Sequence, residues 1–215
     1  VFMASDTKTL YGFRLDLMKA LQKSYGAKIL ALAPLDEHFS NIKQKLGTEG
    51  IDLYPIKFSN TSVSPLSDSL YLWKLYQFLR REKPDGVFTM TIKPVIYGTL
   101  AAYLAGVPKR FAIMTGLGHV YTFDNLKAKC VRHIVNLLYR ISLPHAHRIF
   151  FQNTDDLAVF EGLGLIKNDQ GVVTPGSGVN LNAFPHKPLA PYPPLRFLFI
   201  GRLLKAKGIE EYCDA

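Results

Sequence analysis

The feature that most limits what this chain can fold into is a repeated succession: a short β-branched or aromatic run, a polar turn, then a longer stretch with helical spacing. Val1–Ala4, Ile29–Ala33, Ile51–Tyr54, Val87–Met90, Phe111–Met114, Arg148–Phe151 and Gly171–Thr174 read as strands. Helical stretches lie between them, at Phe13–Ser24, near Glu37–Leu46, through Tyr71, Leu75 and Leu79 to Arg80 and Arg81, and over Val95–Leu104, Leu126–Leu143 and Thr154–Leu163. Strands separated by helices pair in parallel through right-handed crossovers, so the expected fold class is α/β, a Rossmann-like doubly wound parallel sheet. Ligands of such sheets sit beyond the carboxyl ends of the strands. The loops in that position are Asp6–Gly12, Thr91–Pro94, Thr115–Asp124, Gln152–Asp155 and Pro175–Asn180.

The pattern breaks at Asn182–Pro194, which holds five prolines and no helical period. Leu195–Ile200 then predicts a strand, and Gly201–Ala215 a loop and helix. The expected organisation is a first domain over 1–184, a proline-rich linker over 185–194, and over 195–215 the first strand and helix of a second domain, inside which the chain ends.

Composition matters through charge. Lys+Arg 26 against Asp+Glu 17 gives a net charge of +9, which calls for an anionic partner. Nucleic acid, a lipid surface and phosphorylated metabolites all qualify. No apolar run approaches the ~20 residues of a membrane span, and Val1–Ser5 lacks the features of a signal peptide. Cys130 and Cys213 are too few and too far apart for a disulfide framework or a thiolate zinc site. A cytoplasmic protein, soluble or peripheral at the inner face of the membrane, is expected.

Several familiar motifs are missing. Gly116-Leu117-Gly118 lacks the third glycine of a dinucleotide fingerprint and follows the fifth strand rather than the first. There is no phosphate-binding GxxxxGK[ST] loop, and Ser177 stands in Pro-Gly-Ser-Gly rather than in a hydrolase elbow. His145 and His147 read more simply as histidines closing the long helix near its negative end than as metal ligands with Cys130.

Three segments do suit an anion. Gly12 and Arg14 fall at the expected start of the first helix, where free backbone N–H groups can hold a phosphate; a plain helix start with a surface arginine is the alternative. Gly201-Arg202-Leu203-Leu204-Lys205-Ala206-Lys207-Gly208 follows an apolar run, opens a helix and supplies two well-placed cations, Arg202 and Lys207. From Asn125 to Thr154 there are five Lys or Arg residues and no acid. The helix there predicts Cys130, Val131, Ile134, Leu137, Leu138 and Ile141 on an inward apolar face, with Lys129, Arg132, His133 and Arg140 outward, toward solvent or an anionic membrane.

Four ordered segments carry a resemblance: Lys83-Pro84-Asp85 before a buried strand, Phe151-Gln152-Asn153-Thr154-Asp155-Asp156, Pro175-Gly176-Ser177-Gly178-Val179-Asn180 with Phe184, and Phe199-Ile200-Gly201-Arg202-Leu203-Leu204 with Lys207-Gly208. Together they resemble the retaining glycosyltransferases of family 4, which have the GT-B fold. Tyr11–Leu21, the Gly116 loop and Lys127–Ala146 are most similar to bacterial members that add an α-linked N-acetylhexosamine or hexose to an undecaprenyl-diphosphate-linked sugar.

The resemblance implies two Rossmann-like domains, an acceptor-binding one followed by a nucleotide-sugar-binding one, with the site in the cleft between them. It implies a nucleotide-sugar donor, UDP-linked, no metal, a lipid-linked glycan acceptor, an anionic membrane surface and no nucleic-acid partner, in cell-surface glycan biosynthesis. Arg202 and Lys207 would hold the donor diphosphate, with Gly12 approaching it. Thr115 or Gly116 stands nearest the family's active-site histidine, and His119 a few residues late. The family's paired glutamates belong to a region after Ala215, so this chain alone is expected to be inactive. Two other classes fit the same basic character: a non-catalytic anion-binding module, and a GT-B nucleotide-sugar epimerase.

Overall fold

A computed structural model describes residues 1–58, 64–118, 121, 125–167, 169–188, 197–201, 203 and 205–215. The chain divides into two units, Val1–Gly178 and Val179–Ala215.

Among the described residues the first unit holds strands β1 (Phe2–Met3), β2 (Leu30–Ala33), β3 (Asp52–Pro55), β4 (Gly86–Met90), β5 (Lys109–Met114), β6 (Arg148–Phe151) and β7 (Gly171–Val173). They form one seven-stranded parallel sheet in the order β3-β2-β1-β4-β5-β6-β7. This is the doubly wound sheet that the alternation predicts, and its order reverses between β1 and β4. The helices are α1 (Thr7–Tyr25), α2 (Phe39–Thr48), α3 (Pro65–Glu82), α4 (Thr99–Leu104), α5 (Leu126–Ser142) and α6 (Thr154–Gly162).

Reversal sorts the helices by face. On one face α1 and α2 pack Leu10, Met18, Ile42 and Leu46 onto Phe2, Ala31 and Leu53. On the other, α3 packs Tyr71, Leu75 and Leu79 onto Met3, Leu32 and Val87. There α5 and α6 also pack Val135, Tyr139 and Phe160 onto Ala112, Ile149 and Phe151. Each large apolar side chain so covered contributes about 1.5–3 kcal/mol. Close approach at the sheet requires Gly98, which follows β4 in a π-helical turn (Pro94–Gly98): a Cβ there would lie 2.8 Å from Thr89 Cγ2 and 2.9 Å from Met3 Sδ.

Two expectations for the first unit are corrected here. The first helix starts at Thr7, not near Phe13, because Asp6 caps it, accepting from Thr9 N at 2.7 Å, while Asp36 accepts from Thr7 N at 2.9 Å and from Thr7 Oγ1 at 2.7 Å. Gly12 and Arg14 therefore lie inside α1, where the Gly12 N–H belongs to the helix ladder rather than to a ligand. Arg14 is not a surface residue either, being 4% exposed.

The second correction concerns α5. The residues it buries are Val135, Tyr139 and Ser142, with Val131 and Leu138 half-buried, because the Tyr139 ring packs on Phe160 at 5.3 Å between centroids. Of the face expected to point inward, Cys130 is exposed, and Ile134, Leu137 and Ile141 are 42, 52 and 49% exposed. Two apolar stripes share this helix, and the outer one faces solvent.

In the second unit a 3₁₀ turn (Lys205–Lys207) leads through Gly208, at φ 76°, into α7 (Ile209–Asp214). The expected strand Leu195–Ile200 is not formed over its described part: Phe197–Ile200 carries no strand pairing, since a strand exists only beside a partner and no second strand is present among the unit's described residues. Tyr212 Oη donates to the Phe197 carbonyl at 2.9 Å and its ring packs on Phe199. Of the expected linker, residues 189–194 lie outside the described residues.

Candidate functional site

The carboxyl edge of the sheet gathers the turns after β4, β5, β6 and β7. Arg14 reaches this edge from the middle of α1. Its Nη1 donates to Ser177 Oγ at 2.9 Å and, more weakly, to the Phe13 carbonyl at 3.3 Å. Its Nε is buried without a hydrogen-bond partner. Gln152, just past β6, donates from Nε2 to the same Ser177 Oγ at 3.0 Å. These groups line a pocket of about 260 Å³ whose remaining walls include Phe13, Leu17, Phe88, Ile113 and Phe150. Burial pushes the Arg14 guanidinium below its ordinary pKa, and among the described residues no carboxylate pairs with it.

The turn after β4 is held differently. Lys93 Nζ and Asp68 Oδ1 lie 2.6 Å apart with both side chains largely buried, and Tyr97 Oη donates to Asp68 Oδ2 at 3.2 Å. Burial, reinforced by the Asp68 charge, pushes the Tyr97 phenol up to about 12. The pair ties the Thr91–Pro94 turn to the start of α3. Thr91 sits there at φ 69°, a left-handed conformation unusual for a β-branched residue. Sequence reasoning selected this turn but not Lys93 or Asp68; a lysine before a proline at the end of a buried strand was the available signal.

After β5 the chain turns through Thr115–Gly118, exposed at Thr115, with Gly116 at φ 135° and Gly118 at φ 78°. A Cβ on Gly118 would come within 3.1 Å of Ile92 Cδ1, so this loop rests on the turn after β4. The structure thus brings Thr115 and Gly116 to the carboxyl edge that also receives Arg14. Gly12 stands on the exposed side of α1, with nothing within 4 Å of the place a Cβ would occupy. His119 and Arg202 lie outside the described residues, and Lys207 is exposed at the end of its turn in the second unit. Among the described residues no group of three His, Cys, Asp or Glu side chains could hold a metal ion. His145 instead stacks on Tyr103 at 3.8 Å between centroids, and His147 Nδ1 accepts from Arg110 N at 3.2 Å.

These features define an α/β domain on a doubly wound parallel sheet, with a buried arginine beside an apolar wall at its carboxyl edge. Comparison with known proteins places it: residues 4–153 match the family described as Glycosyl transferase 4-like, and the chain belongs to that family. It is 31% identical over 183 residues to the N,N'-diacetylbacillosaminyl-diphospho-undecaprenol alpha-1,3-N-acetylgalactosaminyltransferase of Campylobacter jejuni, a match covering 85% of this chain and 47% of that protein. The chain thus spans about half the length of the curated relative it matches.

Solved structures share the fold at lower identity. MurG of Acinetobacter baumannii superposes with a TM-score of 0.52 at 18% identity, over 87% of this chain and 47% of that one. The UDP-GlcNAc 2-epimerase of Neisseria meningitidis, solved with UDP-GlcNAc bound, gives 0.55 at 17%, over 80% and 45%.

Proposed function

We propose that the chain is the acceptor-binding part, with the beginning of the donor-binding part, of a retaining glycosyltransferase that moves a hexose or N-acetylhexosamine from a UDP-sugar to a lipid-linked glycan in cell-surface glycan biosynthesis. The acceptor domain runs over 1–184, the linker over 185–194 and the donor domain from 195. Thr115 and Gly116, with His119, line the acceptor side of the cleft. Arg202 and Lys207 hold the donor diphosphate and stabilise the charge that develops on it as the sugar leaves. The 215-residue chain alone does not turn over.

The observation that carries the lipid-linked acceptor is the outer stripe of α5. Leu126, Cys130, Ile134, Leu137 and Ile141 recur at steps of four, four, three and four residues, all exposed. Lys129, His133 and Arg140 border the stripe on one side and Lys127 on the other. An exposed apolar stripe edged by cations suits a helix lying at an anionic lipid surface. The helix begins shortly after the Thr115–Gly118 loop, so a docked α5 sets that loop close to the membrane, as a membrane-borne acceptor requires. The protein is then peripheral at the inner face of the membrane; no helix among the described residues is long and apolar enough to cross it.

Co-sedimentation with vesicles tests the reading. The chain is expected to pellet with vesicles containing phosphatidylglycerol and to stay in solution with phosphatidylcholine alone. Equal binding to both, or to neither, contradicts it.

A further inference from the structure

We infer that the pocket of Arg14, Ser177 and Gln152 is a phosphoryl-binding site that takes one phosphate of a diphosphate group against an apolar wall. Arg14 is 96% withdrawn from solvent by its 4% exposure, yet no acid neutralises it among the described residues. A buried cation without a counter-charge destabilises the fold unless something anionic joins it. The open hydrogen-bonding capacity in the pocket is donating. Arg14 Nε has no partner, and Ser177 Oγ already accepts from Arg14 Nη1 and Gln152 Nε2, so its own proton is left to give. A cluster that offers protons and a positive charge, and no carboxylate, selects an oxyanion over a sugar hydroxyl or a cation. The guanidinium fork suits a tetrahedral phosphate, and Phe88, Ile113 and Phe150 beside it exclude water from that contact.

This deepens the transferase reading and rests on it only for where the diphosphate comes from: a prenyl diphosphate or a nucleoside diphosphate carries the same chemistry. The pocket also changes the reason for Arg14. Its guanidinium reaches the sheet edge from inside α1, and no free helix terminus is involved.

The test uses the 215-residue chain, with inorganic pyrophosphate, farnesyl diphosphate and UDP as probes in metal-free buffer. Calorimetry and thermal melts are expected to show pyrophosphate binding and raising Tm. Arg14→Met should fold with an unchanged or higher Tm, because an uncompensated charge has gone, and should bind pyrophosphate at least tenfold more weakly. Arg14→Lys should bind with intermediate affinity, losing the planar fork. Whichever ester binds more tightly than pyrophosphate in an Arg14-dependent way identifies the source of the phosphate. No binding of any probe, or equal binding by Arg14→Met, overturns the site, as does a lowered Tm in Arg14→Met with no effect of pyrophosphate on the wild type. The two readings fail separately: a family-length protein that transfers sugar normally with Arg14→Met removes the pocket and keeps the transferase, whereas pyrophosphate binding without any transfer does the reverse.

Discussion

Arg14 and Ser177 stand 163 positions apart in the chain and meet at 2.9 Å, joining the first helix of the sheet to the loop that follows its last strand. Because Ser177 accepts from a buried charge, Ser177→Ala leaves that charge with one partner fewer. A hydrogen bond to a charged group contributes about 1.5–3 kcal/mol. The variant is expected to melt several degrees lower, and pyrophosphate should restore part of the loss. Calorimetric melts with and without pyrophosphate check this; an unchanged Tm would mean that the serine merely decorates the rim.

Asp36 governs where the first helix begins. Burial of its carboxyl opposes ionisation, but hydrogen bonds from Thr7 N, Thr7 Oγ1 and His38 N outweigh that and hold its pKa below the ordinary carboxylate value. A depressed pKa contributes stability that is present above the unfolded value, about 3.9, and is lost as pH falls through the folded one. Asp36→Asn should therefore destabilise the chain by about 1–2 kcal/mol at pH 7, and the gap from wild type should close below pH ~4. Urea unfolding at the two pH values measures it.

Lys93 and Asp68 form a buried pair, and breaking such a pair on one side costs about 3–5 kcal/mol because a charge is left behind. Lys93→Met and Asp68→Leu should each lower stability by that order. The double variant should recover most of it, since two apolar side chains replace two charges together. A double-mutant cycle in urea reads the coupling, and additive losses would show that the pair acts as two independent contacts.

The outer face of α5 separates apolar from ionic contributions. Leu137→Glu with Ile141→Glu should abolish attachment to vesicles containing phosphatidylglycerol without lowering Tm, as both side chains are about half exposed. Alanine at Lys127, Lys129 and Arg140, the cations that border the stripe, should weaken attachment by about 1 kcal/mol per cation, and salt should weaken the wild type in the same direction. Vesicle binding that ignores the glutamates would assign the stripe to some other partner.

What could be read before the structure divides along physical lines. The seven strands were legible because β-branched and aromatic runs are short, apolar and bounded by turns, and most helices because their apolar spacing repeats locally. The start of α1 was not, because Thr7–Tyr11 lacks that spacing and its helix is nucleated by Asp6 and by Asp36, 29 residues from Thr7. The orientation of α5 was hidden for a related reason: a helix with two apolar stripes gives periodicity without saying which stripe the sheet takes, and Phe160 decided it. Phe197–Ile200 has the composition of a strand, but a strand is a property of two segments rather than one. Arg14 was singled out for a free helix terminus that the structure does not provide, while the pocket that gives it a role depends on Ser177 and Gln152, far along the chain. Lys93 and Asp68 escaped notice because neither is unusual until the other is beside it.

Transfer itself is the most direct test of the central claim. A family-length protein carrying this chain, incubated with UDP-N-acetylhexosamines or UDP-hexoses and a prenyl-diphosphate-linked sugar, is expected to form a lengthened lipid-linked glycan whose new linkage keeps the donor's α configuration by proton NMR. Arg202→Ala should reduce kcat/KM at least tenfold, about 1.4 kcal/mol per decade, with Lys at that position restoring only part. A β-linked product would contradict retention. Conversion of the UDP-sugar to its epimer without any acceptor, or no product from any donor, would contradict the transferase.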